Sequence, residues 1–177
     1  AISVLLFITD IGLKQGKKHK RKRRRMGTRK YQAAGGVVIQ KGMIPGQDQA
    51  TAYVLLLDRQ DRDEVRLPKG HIDPGEDAEA TALRETEEEA GFADLAILAD
   101  LGSSRVTFDY NGNHYIRDEH YFLMTLRSLR QGTRPANDIQ QFRPLWVKLD
   151  EAPGRLTFAA EQQVVQKAVE QYRALMG

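Results

Sequence analysis

Three glutamates, Glu85, Glu88 and Glu89, are separated in the chain by intervals of three and four residues. On an α-helix this spacing places all three carboxylates on one face. Like charges at these intervals repel one another and destabilise a helix unless a cation lies among them. Converging carboxylates offer the hard oxygen ligands that Mg²⁺ and Mn²⁺ prefer. Taken alone, such a cluster is more often a solvated acidic face, so its meaning depends on its surroundings.

The residues that precede the cluster favour a metal–phosphate site. Arg84 adjoins Glu85 and could hold a carboxylate through a charge-assisted hydrogen bond. The segment KGHIDPG ahead of the helix contains glycines, which let backbone carbonyls approach closely. It also contains Lys69, which could reach a phosphate, and His71, which could contact phosphate or fix the loop by a hydrogen bond.

The elements that must position these residues follow from local patterns. A helix is expected after Asp77, a good N-cap, and up to Gly91, a typical C-terminal stop. We expect its apolar side to pack on a sheet and Glu87 to project toward solvent. The prolines and glycines of residues 68–77 predict a loop without regular structure.

The remaining patterns predict strands and a C-terminal helix. Asn111-Gly112 is a strong hairpin signal. Strands are expected at residues 33–40, 51–59, 65–67, 95–103, 105–110, 114–126 and 142–149, with an amphipathic helix over 158–176. This order predicts a mixed sheet with helices on both faces.

Composition restricts the class of protein. A chain of 177 residues with 41% hydrophobic and 29% charged residues is typical of one globular domain. The absence of cysteine excludes disulfides and thiolate metal sites, which fits a reducing compartment such as the cytoplasm. The apolar run AISVLLFI is too short to span a membrane, and its charges follow it, unlike a secretory signal. No membrane partner is therefore expected, and the sequence does not indicate an oligomeric state.

The basic charge is concentrated in residues 1–25. They hold nine of the 27 Lys and Arg residues but one of the 24 acidic residues, which leaves 18 bases and 23 acids in the rest. We therefore expect a basic N-terminal extension, residues 1–25, and a domain over residues 26–177. The run over residues 17–25 could be a solvated arm or could contact nucleic acid. Because GTRKYQAAGGVV after Met26 resembles a natural beginning, the extension could also be upstream sequence.

Residues 70–92 read GHIDPGEDAEATALRETEEEAGF. This segment resembles the Nudix box: glycine, five residues, glutamate, seven residues, Arg-Glu, an apolar position, any residue, Glu-Glu, any residue, glycine and an apolar residue. The matching positions are Gly70, Glu76, Arg84, Glu85, Thr86, Glu88, Glu89, Gly91 and Phe92. Only Thr86 departs from the commoner aliphatic residue, and its methyl group can still pack. A motif of this length is highly specific.

The resemblance implies an α/β fold over about residues 30–176: the Nudix fold, an α/β/α sandwich with a mixed β-sheet between helices. It implies hydrolysis of a nucleoside diphosphate linked to another moiety, with water and a divalent metal. The metal is expected to be Mg²⁺, with Mn²⁺ as an alternative. The implied metal ligands are Glu85, Glu88, Glu89 and the Gly70 carbonyl.

The resemblance also implies roles for neighbouring residues. Arg84 would orient the glutamates, and Glu76 would brace the loop and helix or contact metal through water. Glu85 is expected to be the general base. Glu119 and Glu161, which lie outside the box, are alternatives for that role.

For the substrate, LPKGHIDPGE resembles the dinucleoside polyphosphate hydrolases and the diphosphoinositol polyphosphate phosphohydrolases. Tyr110, 18 residues beyond Phe92, resembles a tyrosine of the dinucleoside polyphosphate branch. We therefore expect Lys69 and Tyr110 to bind substrate, although Tyr110 could be a cross-strand packing residue and Lys69 a solvated one. Other aromatic residues could stack on a base but are more often core. They are Phe108, Tyr115, Tyr121 and Phe122.

Other readings stay open at this point. Within the same chemistry, the chain could be a nucleoside triphosphate house-cleaning hydrolase or a diphosphoinositol polyphosphate hydrolase. From a different class, it could be a non-catalytic Nudix module that binds nucleotide or RNA. His114 and His120 share a strand face but lack a third metal ligand at suitable spacing.

Overall fold

The computed structural model describes residues 27–177 and consists of one mixed β-sheet with helices packed on both of its faces. The strands are β1 (Gly27–Lys41), β2 (Ala52–Arg59), β3 (Glu64–Arg66), β4 (Lys69–His71), β5 (Leu95–Tyr110), β6 (Asn113–Leu126) and β7 (Arg143–Lys148). The helices are α1 (Ala78–Ala90), α2 (Ala136–Gln141), α3 (Ala152–Arg155) and α4 (Ala159–Met176). The expected extension, residues 1–25, lies outside the described residues.

The sheet has the strand order β3-β2-β1-β6-β5, with β4 paired to β1 and β7 paired to β2. β1 and β6 run parallel, and every other pair is antiparallel. β1 is therefore central: its first part pairs with β6, its middle with β4 and its end with β2. This arrangement confirms the predicted mixed sheet.

Apolar runs in β1 and β2 are buried on both faces of the sheet. Val37 and Ile39 pack toward α4, whereas Val38 between them packs in the cluster that includes α1. Leu56 and Leu57 divide between the two clusters in the same way. Because successive strand residues point to opposite faces, a continuous apolar run requires a helix on each side. The α/β/α layering follows from this pattern.

The helix α1 approaches the sheet closely where β1 has a glycine. A Cβ on Gly36 would lie 2.7 Å from Thr86 Oγ1 and 2.8 Å from Met124 Sδ, so only glycine fits there. Thr86 is buried and its hydroxyl donates to the Ala82 carbonyl at 2.7 Å. Thr86 is thus buried at the position where the motif more commonly has an aliphatic residue.

Two predictions about local structure are wrong. Residues 68–77 are not entirely a loop, because Lys69–His71 forms β4 and pairs antiparallel with Ala33–Gly35. The strands expected at 95–103 and 105–110 are one strand, β5, with register shifts between Ile97 and Ala99 and between Asp100 and Gly102. Bulges absorb these irregularities without ending the pairing.

Other boundaries also differ. β1 begins at Gly27, and the polar residues before Ala33 extend it because they pair with β6. The short helices α2 and α3 were not expected. The hairpin at Asn111-Gly112 is confirmed, with φ of 48° and 73° at its two turn residues. No helix in residues 27–177 is long and apolar enough to cross a membrane.

Candidate active site

Helix α1 presents the acidic cluster with both ends capped. The Asp77 side chain accepts a hydrogen bond from the Ala80 N–H at 2.8 Å. Gly91 has φ of 88° and its N–H donates to the Glu87 carbonyl at 2.7 Å. Both predicted caps are confirmed. They fix where the helix starts and stops, and therefore which way its carboxylates face.

Arg84 connects the acidic residues at the start of the site. Its Nε and Nη2 donate to the two carboxylate oxygens of Glu76 at 2.8 and 2.9 Å. Its Nη1 donates to Glu85 at 2.6 Å and to Glu88 at 3.3 Å, and Nη2 also reaches the His71 carbonyl at 3.2 Å. These contacts raise the pKa of Arg84 and hold the pKa of Glu76 at about 2, chiefly through their mutual hydrogen bonds.

Gly70 brings backbone against the Glu85 carboxylate. A Cβ at residue 70 would lie 2.1 to 2.3 Å from the carboxylate atoms of Glu85, so a larger residue there would displace that carboxylate. Gly70 lies in β4, paired with Ala34 of β1. Burial raises the pKa of Glu85, opposed by the hydrogen bond from Arg84. The strand and the helix thus present a backbone segment and a carboxylate to the same small volume.

Glu89 is the most deeply buried member of the cluster, at 9% exposure. Its Oε2 accepts the Lys69 N–H at 2.9 Å. Burial raises its pKa to about 8, since that hydrogen bond only partly offsets the cost of desolvating the charge. Glu87, in contrast, lies against Gly132, where a Cβ would be 2.2 Å from its Oε1. Glu87 therefore does not project freely to solvent as expected.

The sequence did not reveal a fourth carboxylate at this edge. Asp138 of α2 lines the same cavity as Glu89, and burial raises its pKa. Arg134 holds α2 in place: its Nη2 donates to the carbonyls of Glu89 at 2.5 Å, Asp138 at 3.3 Å and Phe142 at 2.9 Å. Asp138 lies in a polar stretch without a motif, so no local signal could have identified it.

Within the described residues, no three acidic or histidine side chains stand close enough together to form a ready-made metal site. Arg84 holds the carboxylates of Glu85 and Glu88, and Glu89 turns toward the Lys69 N–H. The cluster on α1 offers only carboxylate oxygens, and the Gly70 backbone packs against the Glu85 carboxylate with no side chain between them. The residues thus fit a hard cation such as Mg²⁺.

Lys69 lies at the cleft but its ammonium group is already engaged. It forms an ion pair with Glu161 of α4, and the two side chains are 7% and 3% exposed. Glu161 also accepts the Leu67 N–H at 2.9 Å. The C-terminal helix thereby holds the segment that leads into β4. The predicted contact of Lys69 with phosphate remains a prediction.

Two adjoining cavities open beside the acidic edge. The first, of about 270 Å³, is lined by the following residues near α1 and β4: Lys69, Gly70, His71, Glu89 and Asp138. The second, of about 450 Å³, is lined by aromatic residues and a different set of charges, including Phe108, Tyr110, Phe158, Glu119 and Glu161. Tyr31, Arg66 and Arg117 line both cavities, so the two cavities meet at these side chains and are together called the cleft.

The aromatic candidates separate by position. Tyr121 and Phe122 are core residues, whereas Phe108 lines the second cavity and stacks on Tyr115 with centroids 5.1 Å apart. Tyr110 lines that cavity and is 49% exposed, with the Arg62 guanidinium carbon 6.0 Å from its ring centroid. Its position is compatible with a substrate contact.

The histidines have partners of their own. His114 Nδ1 is 2.7 Å from Asp109 Oδ1, and His120 Nε2 is 2.7 Å from Asp100 Oδ1. His71 stacks on Tyr31 with ring centroids 4.2 Å apart and lines the first cavity. Of the three, only His71 lies beside the acidic edge.

A family model described as NUDIX domain matches residues 31–168. The chain belongs to the NUDIX domain family. This match confirms the family and the fold that the motif at residues 70–92 implied. The family and the relatives described next support an enzyme of the pyrophosphohydrolase class.

The relatives are named either as a mutator protein or as hydrolases of dinucleoside polyphosphates. This Nudix protein is 36% identical over 146 residues to the mutator protein MutT4 of Mycobacterium tuberculosis, covering 82% of this chain and 57% of that protein. It is 34% identical over 121 residues to the asymmetrical bis(5'-nucleosyl)-tetraphosphatase of Rattus norvegicus, covering 68% and 80%. The crystal structure of a C. elegans Ap4A hydrolase superposes with a TM-score of 0.54 at 26% identity, covering 83% and 98%. The match to the mycobacterial MutT4 spans only a little over half of that relative's length.

Proposed function

We propose that this Nudix protein hydrolyses a pyrophosphate bond of dinucleoside polyphosphates with the help of Mg²⁺ or Mn²⁺. The observation that carries the proposal is the cleft, in which a larger aromatic cavity adjoins the cavity at the acidic edge of α1. A substrate with a phosphate chain and a nucleoside matches both ends of such a cleft. The rat relative is named as a bis(5'-nucleosyl)-tetraphosphatase, which supports this substrate class. The absence of cysteine is the ground for proposing a cytoplasmic location.

Four groups would hold the cation: the Glu85, Glu88 and Glu89 carboxylates and the Gly70 carbonyl. A bound divalent cation neutralises phosphate charge and acidifies a water molecule. Arg84 keeps Glu85 and Glu88 in place through its hydrogen bonds, and Glu76 in turn fixes Arg84. The protein's own contribution is thus to hold the Glu85 and Glu88 carboxylates through Arg84 before the substrate arrives.

For the general base we propose Glu85, the carboxylate of the motif that packs directly against the Gly70 backbone. Asp138 is a rival because it lines the cavity beside Glu89. Glu161 and Glu119 are weaker rivals, since each is 2% exposed and engaged by a neighbouring cation. Comparing the pH–rate profiles of Glu85→Gln and Asp138→Asn variants distinguishes them, because loss of the base removes the rise in kcat with pH.

A substrate panel tests the proposed activity. The protein is assayed with Mg²⁺, Mn²⁺ or a chelator against diadenosine polyphosphates, nucleoside triphosphates, ADP-ribose, NADH and diphosphoinositol phosphates. We expect the highest kcat/KM for diadenosine polyphosphates and no turnover with the chelator. Highest kcat/KM on another substrate, or unchanged turnover with the chelator, would contradict the proposal. Identification of the products also determines which phosphorus atom is attacked.

A second candidate is hydrolysis of nucleoside triphosphates, because the mycobacterial relative is named as a mutator protein. Faster turnover of nucleoside triphosphates than of diadenosine polyphosphates in the same panel would favour it. A non-catalytic binding module is disfavoured by the intact motif at residues 70–92. A contribution of residues 17–25 to nucleic-acid binding is tested separately by RNA-binding measurements with and without residues 1–25.

A further inference from the structure

Arg66 lies at the junction of the two cavities and is poorly satisfied there. Its guanidinium makes no ionic contact shorter than 3.4 Å: Nη1 is 3.4 Å from Glu64 and Nη2 is 3.7 Å from Glu161. Its Nε is buried without a hydrogen-bond partner. Guanidinium–carboxylate hydrogen bonds normally measure about 2.7 to 2.9 Å. The Arg66 side chain is 18% exposed, and its guanidinium carbon lies 4.8 Å from the Phe158 ring centroid, so the ring holds the group while its ionic contacts stay long.

Arg117 lies opposite, between aromatic rings. Its guanidinium carbon is 5.0 Å from the Phe108 centroid and 5.9 Å from the Tyr31 centroid, and Nη1 donates to the Tyr31 hydroxyl at 3.1 Å. Nη2 is 2.5 Å from Glu119 Oε1 without hydrogen-bond geometry, and Nε has no partner. Arg117 thus retains donors while its plane is fixed by the rings.

The two buried carboxylates nearby orient these arginines. Glu161 is held by the Leu67 N–H and by Lys69, so it does not depend on Arg66 for its charge balance. Glu119 is held by Arg117 and by the Tyr121 hydroxyl, whose oxygen is 3.3 Å from Glu119 Oε2. Both residues also line the second cavity, but each is only 2% exposed and each is paired with a cation, Arg117 for Glu119 and Lys69 for Glu161.

We propose that Arg66 and Arg117 form a phosphate-binding subsite at this junction, for the phosphates of a chain that extends beyond the α1 carboxylates. The guanidinium group binds phosphate oxygens in pairs, and both arginines line both cavities. This inference rests on the proposed function and adds to it a residue basis for preferring longer phosphate chains.

The alternative is that the two arginines only join β3, β6 and α4 by ion pairs. The distances from Arg66 to Glu64 and Glu161, 3.4 and 3.7 Å, do not favour this alternative. They are longer than the 2.7 Å of the Arg105–Asp118 ion pair. Without Arg66, the buried Glu161 carboxylate would still be bound by the Leu67 N–H and the Lys69 ammonium group. The variant Arg66→Gln is therefore expected to fold.

The test measures binding of inorganic tripolyphosphate and pyrophosphate by calorimetry, in a chelator so that no hydrolysis occurs. Relative to the wild type, Arg66→Gln is expected to bind tripolyphosphate about tenfold more weakly, the size of a lost charged hydrogen bond. The effect on pyrophosphate should be smaller, and Arg66→Lys should recover part of the affinity. Arg105→Gln is the matched control, because Arg105 lies outside both cavities and is 65% exposed.

Arg117 needs a paired variant, since its loss alone would leave Glu119 a buried charge without its cation. The double variant Arg117→Gln with Glu119→Gln removes both charges and is expected to lose tripolyphosphate affinity about tenfold. Glu119→Gln alone frees the guanidinium and is expected to bind at least as tightly as the wild type. Thermal melting confirms that each variant is folded.

Wild-type affinity for tripolyphosphate in the folded Arg66→Gln and double variants would overturn the subsite. Equal losses in Arg105→Gln would also overturn it, as a sign of nonspecific charge effects. Hydrolysis is measured separately on diadenosine tetraphosphate and diadenosine diphosphate. If the wild type cleaves neither substrate but the binding results hold, the proposed function fails while the subsite stands.

Discussion

The two ends of the cleft are built in different ways. The acidic end is formed mainly by α1 and the segment just before it. There Arg84 donates hydrogen bonds to four residues: Glu76, Glu85, Glu88 and His71. The arginine junction draws on β1, β3, β6 and α4, and its key cation, Arg66, packs on Phe158 and makes no ionic contact shorter than 3.4 Å. At the first end, hydrogen bonds from Arg84 hold the acidic side chains, whereas at the second the Nε atoms of Arg66 and Arg117 have no hydrogen-bond partner. We infer that the first is arranged for chemistry and the second for binding.

The largest effect should follow from damage to the acidic end. Glu88→Gln removes a proposed metal ligand, and kcat is expected to fall by at least about a hundredfold, since loss of an outer-shell partner alone costs 10- to 100-fold. The melting temperature should change little, because Glu88 is partly exposed. Glu87→Gln is the matched control on the same helix. Wild-type kcat in Glu88→Gln would refute the assignment of the site.

A change to the connecting cation should have the next largest effect. Arg84→Lys keeps the charge but loses the paired hydrogen bonds to Glu76 and the reach to Glu85 and Glu88. We expect kcat to fall about 10- to 100-fold and the Mg²⁺ concentration for half activity to rise. Steady-state kinetics over a Mg²⁺ titration measures both quantities. An unchanged Mg²⁺ requirement would mean that Arg84 does not position the carboxylates.

At the binding end the effect should fall on KM rather than on kcat. Tyr110→Ala removes an exposed ring from the second cavity, and base stacking on aromatic residues is worth about 1–3 kcal/mol. KM for a diadenosine polyphosphate is therefore expected to rise about tenfold, with kcat nearly constant. Tyr110→Phe, which keeps the ring, is the control. A larger loss in kcat than in KM would show that the two ends are not separable.

The smallest effect concerns stability at acidic pH. The hydrogen bonds from Arg84 and Thr81 lower the pKa of Glu76 from 4.5 to about 2. A lowered carboxylate pKa stabilises the fold fully above about pH 4.5, and this contribution disappears as the pH falls toward 2. Urea unfolding of the wild type and Glu76→Gln in a chelator should therefore differ at pH 7 and converge near pH 2. A constant difference across this range would exclude the linkage.

Most of the acidic end could be read from the sequence because its parts are local. The caps at Asp77 and Gly91 define the helix, and the i, i+3, i+4 spacing aligns Glu85, Glu88 and Glu89. The strand β4 was missed because three residues flanked by proline carry no usable pattern; β1 supplies its hydrogen bonds. Local propensity cannot register a partner that is more than 30 residues away.

The contacts in the rest of the cleft could not be predicted from local sequence patterns. Lys69 was expected at phosphate, yet Glu161, 92 residues later, engages its ammonium group. Asp138 reaches the acidic edge because Arg134 ties α2 to the end of α1. These contacts join residues that are far apart in the sequence, and no periodic pattern of residue types predicts them.

The sequence by itself determined the family, the acidic face of α1 and the layered sheet, because each depends on spacing along a single helix or strand. Only the tertiary structure decided that Arg66 of β3 and Arg117 of β6 line the same junction. Their positions depend on strand order and on the packing of α4, which are set by burial of the whole core. The residues proposed for chemistry thus lie in one segment of the sequence, whereas the proposed phosphate-binding subsite is assembled by the fold.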